Sequence, residues 1–412
     1  MSRTSKMDNL DSNGPTPALR FPEFDDGGAW QRETLCRLAS PVKEKATGGD
    51  NEDTLTLSGE MGLVPQGDYF GKQISGENVS RYIKIVRDDF VYNDRTTKAS
   101  KFGSIKRLSS TDGGIVSPIY KCFRFKGSQN PDFWDYYFEA QAHEAQLGGL
   151  VNEGARAGRF NISIDKFLSI DVWKPSSPEQ VRIAECLASV DALIVAETEK
   201  LDALKDHKQG LMQQLFPAEG ESLPALRFPK FSELDGWDTC SLDDLCAMRA
   251  GQFIRASEIQ DAPANDLYPC YGGNGLRGYV ETYTHEGRFP LIGRQGALCG
   301  NVKLAEGQFH ATEHAIVATP KRSVNVDWLF YLLDFMQLNK HSTGQAQPGL
   351  SVGALEQLPA WRPCEGEQTQ IANALGAADD LVASQVSKVR SLQSHKQGLL
   401  QQLFPVLDEV EG

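Results

Sequence analysis

Apolar residues in two stretches of the chain recur at alternating intervals of four and three. The first seam runs Ile183, Leu187, Val190, Ile194, Glu197, Leu201, Leu204, Lys208, Leu211, Leu215. The second runs Ile371, Leu375, Ala378, Val382, Gln385, Val389, Leu392, Lys396, Leu399, Leu403. Such alternation is a heptad, the period at which helices wrap left-handedly around a partner. It predicts two long helices, each seam about 50 Å long at 1.5 Å per residue. Ser177, Pro178 and Gln180 fit a capped helix start with a capping-box glutamine. Glu365 and Gly366 stand there in the second copy and predict a weaker cap. Phe216-Pro217 and Phe404-Pro405 end the helices, because proline cannot continue the hydrogen-bond ladder. Polar residues interrupt the seams at matching places, Glu197 with Gln385 and Lys208 with Lys396, and such interruptions can fix register. The two seams can satisfy each other as an antiparallel pair, pack on neighbouring domains, or join two chains.

The seams belong to an internal repeat. Residues 175–217 and 363–405 align without a gap and are identical at 20 of 43 positions. Each copy ends in His-Lys-Gln-Gly-Leu and then Gln-Gln-Leu-Phe-Pro. A second repeat opens each half: Pro17-Ala18-Leu19-Arg20-Phe21-Pro22 recurs as Pro224-Ala225-Leu226-Arg227-Phe228-Pro229, followed by Trp30 or Trp237. Between these anchors the halves share no evident similarity. Duplication kept a frame and let its contents diverge.

Residues 224–362 read as β-rich with glycine turns, and residues 17–174 as a different mixed domain. Formal charge is −13 over the chain, which argues against nucleic acid until it is divided along the sequence. The repeat segments with their tails carry most of the acidity. Residues 81–126 hold eleven Lys or Arg against four Asp. A local basic surface is what phosphate contact requires. The eight cysteines include no CxxC pair and read as reduced thiols. A polar start without a hydrophobic core, and no apolar run near the roughly 20 residues that span a bilayer, predict a cytoplasmic protein with a disordered extension over 1–16.

Three motif matches lack the context their chemistry needs. Gly273–Gly278 fits GxGxxG, but a strand-like stretch follows it instead of a helix. His310-Ala311-Thr312-Glu313-His314 fits HxxEH, yet Phe309 and Ile316-Val317 argue for strand, where the two histidines cannot share a helical face. Asn130-Pro131-Asp132-Phe133 is near an aminomethyltransferase loop but has Asp in the third place and no cofactor strand. No phosphate loop for ATP occurs. Base reading suits the remaining candidates better: Arg for guanine, Gln for adenine, Glu for cytosine. The second domain offers Asn274, Arg277, Arg294, Gln295, Thr312, Glu313 and His314 as DNA contacts. Alternating apolar and basic residues in the first offer Tyr92, Asn93, Arg95, Lys98, Lys101, Lys106, Arg107 and Tyr120. The bland alternatives are an Arg294–Glu313 ion pair and an ordinary solvated sheet face.

Unlike domains between duplicated helices, Glu-Gln…Ile-Ala…Leu ending in His-Lys-Gln-Gly-Leu…Gln-Gln-Leu-Phe-Pro, resemble the specificity subunits of type I restriction-modification enzymes from Pro17 to Pro405. The resemblance implies an α+β chain: two mixed α/β target-recognition domains (17–174 and 224–362) separated by two long helices (175–217 and 363–405) forming an antiparallel coiled coil, with an internal pseudo-two-fold repeat, a linker at 218–223 and a tail at 406–412. It implies a non-catalytic subunit in which each domain reads half of a bipartite, asymmetric double-stranded DNA target. The helices then set the spacing and dock two modification (methyltransferase) subunits. S-adenosylmethionine belongs to those partners, and ATP and Mg²⁺ to restriction (translocase and nuclease) subunits. A stand-alone DNA methyltransferase and a coiled-coil scaffold without DNA affinity are the competing readings.

Overall fold

The computed structural model describes residues 14–47, 53–59, 61–71, 79–95, 101–148, 162–296, 298–344 and 348–405. The chain divides into two compact units, residues 1–196 with 389–412, and residues 197–388. The long helices Ser177–Leu215 and Glu365–Leu403 are each 39 residues. Each gives part of its length to one unit and the rest to the other.

In the first unit Ile183 and Leu187 share a core with Leu400, Leu403 and Phe404, and Lys396 Nζ lies 2.8 Å from Asp191. In the second, Met212 and Leu215 share a core with Ile371 and Leu375, and Lys208 Nζ lies 2.6 Å from Asp379. One number falls as the other rises, so the segments within each unit run antiparallel. Every seam residue named above is buried or half-buried. The polar interruptions Glu197 and Gln385 meet in the second unit: Gln385 Nε2 donates to Glu197 O at 2.8 Å and Oε2 at 2.6 Å. Hydrogen bonds from Lys388 and then Gln385 hold the Glu197 carboxyl below its ordinary value.

The short repeats build the same frame in each unit. Arg20 grips Glu179 at 2.8 and 2.7 Å and Trp30 Nε1 donates to it at 3.4 Å. Arg227 grips Glu367 at 2.9 and 2.8 Å and Trp237 Nε1 donates at 3.1 Å. Leu19 N donates to Gln402 O, and Leu226 N to Gln214 O, both at 2.9 Å. Strands Gln31–Thr34 and Asp171–Lys174 pair antiparallel in one unit, Asp238–Ser241 and Pro359–Arg362 in the other. Tyr136 donates to Asp191 at 2.8 Å and Tyr331 to Asp379 at 2.7 Å. Among the described residues the capping box expected at Gln180 is not formed: its amide donates to Pro175 O at 3.2 Å, as Gln368 does to Pro363 O at 2.9 Å.

The sheets differ. The first unit has two four-stranded sheets, one ordered Ala39–Pro41, Lys121–Phe125, Asp89–Asn93, Ser104–Arg107, the other Gly62–Pro65, Thr54–Ser58, Gly113–Val116, Ile83–Val86. The second has one six-stranded sheet: Cys246–Ala250, Ala315–Pro320, His285–Gly293, Val302–Ala311, Tyr268–Gly272, Gly275–Val280. The Asn130-Pro131-Asp132-Phe133 motif is a helix start: Asn130 Oδ1 accepts from Phe133 N at 3.1 Å, opening Pro131–Glu139 with Phe133 and Trp134 fully buried. Among the described residues no helix is long and apolar enough to cross a membrane.

His143 is buried edge-on to Phe138 with Nδ1 unpartnered among the described residues, and burial pushes its imidazole down to about 3. Unfolding restores a value near 6.5, so the unfolded chain binds the extra proton first. The stability that neutral His143 provides is therefore present above about pH 6.5 and lost as pH falls toward 3. His143→Phe should flatten that acid limb of a urea-unfolding series for the first unit; an unchanged limb would place the acid sensitivity elsewhere.

Candidate nucleic-acid interface

In the second unit the sheet brings three loops together. Gly293 pairs with Ala315, and Arg294 N donates to His314 O at 2.9 Å. The hairpin between Tyr268–Gly272 and Gly275–Val280 presses against them. A Cβ on Gly273 would lie 3.0 Å from His314 O, and one on Gly293 would lie 2.2 Å from Gly273 O. Glycine is required there by close backbone approach.

The loops enclose an open groove of about 630 Å³ lined by Gly272–Arg277, Gln295, Gly296, Leu298 and His314. Four expected contact residues thus share one surface: Asn274, Arg277 and Gln295 are exposed, and the His314 side chain is 44% exposed. Leu276 and Leu298, both about half exposed, add apolar contact of the kind a thymine methyl accepts. Arg294 is half-buried and makes no ion pair with Glu313 among the described residues. Glu313 faces His314 instead, with Oε1 3.3 Å from Nε2. Thr312 is a correction: it is fully buried, and its hydroxyl accepts from His314 N at 3.4 Å. It shapes the turn and cannot reach a base. His310 lies in the strand Val302–Ala311 with Nε2 3.3 Å from Gln252 O.

Sequence reading missed Phe253, 72% exposed in the segment beside this turn, where Gln252 N donates to Ala311 O at 2.8 Å. An unprotected aromatic in the Gly-Gln-Phe-Ile-Arg loop was the available signal.

The first unit corrects more of the expectations. Tyr92 is fully buried, stacked on Phe167 at 4.6 Å and donating to Phe102 O at 2.7 Å. Burial pushes its hydroxyl well above the ordinary tyrosine value. Tyr120 is 9% exposed, 3.3 Å from the Thr56 hydroxyl. Alternation along these strands is real, but both sheet faces are covered: Phe90 and Tyr92 enter one core and Val91 and Cys122 another. Arg107 is held by Asp88 at 2.7 Å and by Asp132. Arg87, Lys121 and Arg124 pair with Asp112, Asp94 and Asp89, so much of the basic surplus is spent internally. Arg95 and Lys101 remain exposed, Asn93 and Lys106 half-buried. Pairing of Asn93 with Ser104 sets Arg95 and Lys101 at the same end of one hairpin. Lys98 lies outside the described residues.

Residues 234–388 match the family model of the type I restriction modification DNA specificity domain. The specificity subunit of the EcoprrI type I restriction enzyme of Escherichia coli is 47% identical over 154 residues, 37% of this chain and 38% of that protein. The chain therefore spans well under two thirds of this curated relative. The crystal structure of a type I restriction-modification S subunit from M. genitalium superimposes with a TM-score of 0.58 at 15% identity, covering 95% of this chain and 100% of the other. A structure concerned with complex assembly and conformational transition of the type I R-M system gives a TM-score of 0.54 at 18% identity, covering 91% and 97%. At these identities the two solved structures establish shared fold.

Proposed function

We propose that this chain, whose residues 234–388 match the type I specificity-domain model and whose fold is shared with a type I S subunit, is the non-catalytic DNA-recognition subunit of a type I restriction-modification complex. Each unit reads one half of a bipartite target. The single observation that carries this reading is the same helix-and-arginine frame holding unlike sheets, four-plus-four strands in one unit and six in the other. Unlike heads select unlike half-sites, whereas a symmetric dimer favours a palindrome. The groove of Asn274, Arg277, Gln295 and His314 supplies side chains that read base edges, and exposed Arg95 and Lys101 supply phosphate contacts.

The paired helices act as an antiparallel coiled coil that sets half-site spacing and docks two modification subunits. Equivalent residues on the two helices, Leu193 and Leu381, are 44% and 57% exposed, so both copies share an apolar foothold at that place. S-adenosylmethionine, ATP and Mg²⁺ serve the modification and restriction subunits. Leu193→Arg with Leu381→Arg should remove both modification subunits, and either alone one of them, read by mass photometry of the reconstituted complex. Full assembly of the double variant would refute the footholds.

Target selection from randomised duplexes tests the central reading: an asymmetric, interrupted sequence is expected. Inserting four residues (about 6 Å) at matching places in both helices should lengthen the tolerated gap by one or two base pairs. An unchanged target would sink the spacing role.

A further inference from the structure

Three polar side chains at the groove of the second unit form a continuous series of contacts. Glu313 Oε1 lies 3.3 Å from His314 Nε2, and His314 Nδ1 lies 3.1 Å from Gln295 Oε1. The other Glu313 oxygen is buried without a partner among the described residues, so the carboxylate engages the ring alone. Both backbones are pinned. Gln295 bridges Gly349, Gly296 N donates to Pro348 O at 3.0 Å, and His314 O accepts from Arg294 N at 2.9 Å. A side chain hung on fixed backbone and tied at its tip has little freedom left, which is what selective base reading needs.

We propose that Glu313 and His314 are positioning residues that orient the Gln295 amide to read an adenine in the half-site of the second unit. The proposal rests on the DNA-reading role and names the base read. A neutral imidazole carries one N–H. In the neutral ring the carboxylate, which can only accept, takes the Nε2–H, and Nδ1 is left as an acceptor. Only an N–H satisfies it. The two ends of a glutamine amide are nearly the same size, and a half-turn about the last side-chain bond exchanges them. Turned by that half-turn from the orientation with Oε1 toward Nδ1, Gln295 places its amino group there and keeps its carbonyl and second N–H free on the groove side. Acceptor beside donor complements the N6–H and N7 edge of adenine. The opposite orientation would present two N–H groups and suit the paired acceptors of guanine. His314 thus decides between the purines, and Glu313 decides for His314 by fixing its tautomer.

The test uses the full chain assembled with its modification subunits and the target selected from randomised duplexes. Paired duplexes carrying A·T or G·C at each half-site position are then compared at fixed salt. Gln295→Ala should lose roughly tenfold discrimination for adenine over guanine at one position and none elsewhere. His314→Ala should lose it at that same position, with assembly and melting unchanged. Glu313→Ala should do likewise, and Glu313→Gln, whose carbonyl still accepts from Nε2, should restore it. Retained discrimination in His314→Ala, or guanine preferred at the Gln295 position, overturns the proposal. If Gln295→Ala alters no position while the wild-type complex selects a specific target, this inference fails and the DNA-reading role stands. If the wild-type complex selects no target, both fail.

Discussion

Ending the chain after Lys388 is expected to unfold the first unit and leave the second folded, although the deleted residues lie at the far end of the sequence. The deletion removes Leu400, Leu403 and Phe404 from a core built by residues 30–187. Phe404 packs at 5.6 to 6.1 Å from Phe133, Tyr137 and Trp30. It also removes Lys396 from Glu139 and Asp191 and the Gln402 carbonyl from Leu19 N. Losing a buried phenylalanine costs about 3–5 kcal/mol and each buried leucine about 2–5, which together exceed most of the ~5–15 kcal/mol that keeps a domain folded. The second unit draws its helices from 197–388 and keeps every partner described here. Hydrogen exchange should show fast exchange in strands 89–93 and 121–125 and protected amides in strands 285–293 and 302–311. Protection persisting in the first set would mean that the C-terminal helix is dispensable to it. Phe404→Ala alone should lower the stability of the first unit by about 3–5 kcal/mol.

The second large effect is expected at the arginine clasps. Arg227→Ala leaves Glu367, whose side chain is 2% exposed, with the Trp237 N–H as its one remaining donor among the described residues. Removing one partner of a buried pair leaves an uncompensated charge and costs about 3–5 kcal/mol. Arg20→Ala should act equally on Glu179 in the first unit, since the distances match within 0.1 Å. Replacing both members, Arg227→Met with Glu367→Leu, removes the stranded charge and should recover most of the loss. Urea unfolding of the three variants separates these outcomes. A double variant as unstable as the single one would show that the clasp contributes by geometry and not by charge pairing.

Much of the frame was legible because its signals are periodic or repeated. The four-three spacing from Ile183 to Leu215 and from Ile371 to Leu403 needs only the helical pitch to be read. The Arg20 and Arg227 segments were recognisable as repeats, yet their bond to Glu179 and Glu367 was not, because nothing in a sequence says which buried acid an arginine will reach. The candidate site was half legible. Asn274, Arg277, Gln295 and His314, named singly from the sequence, line one groove. Tyr92, Tyr120, Thr312 and Arg107 do not take part, since alternation on a strand cannot reveal whether a second layer covers its polar-looking face.

The sequence by itself determined the duplication, the two helices with their lengths and polar interruptions, and the presence of unlike contents between them. These follow from local rules: period, proline stops and identity at a fixed offset. Tertiary structure alone decided that the first unit closes with a helix end from the far end of the chain, and which strands are covered on both faces. It also decided that the glycines of 272–293 let three loops converge on one groove. Those outcomes depend on contacts between residues far apart in sequence, where burial and steric fit act and no local pattern records the result.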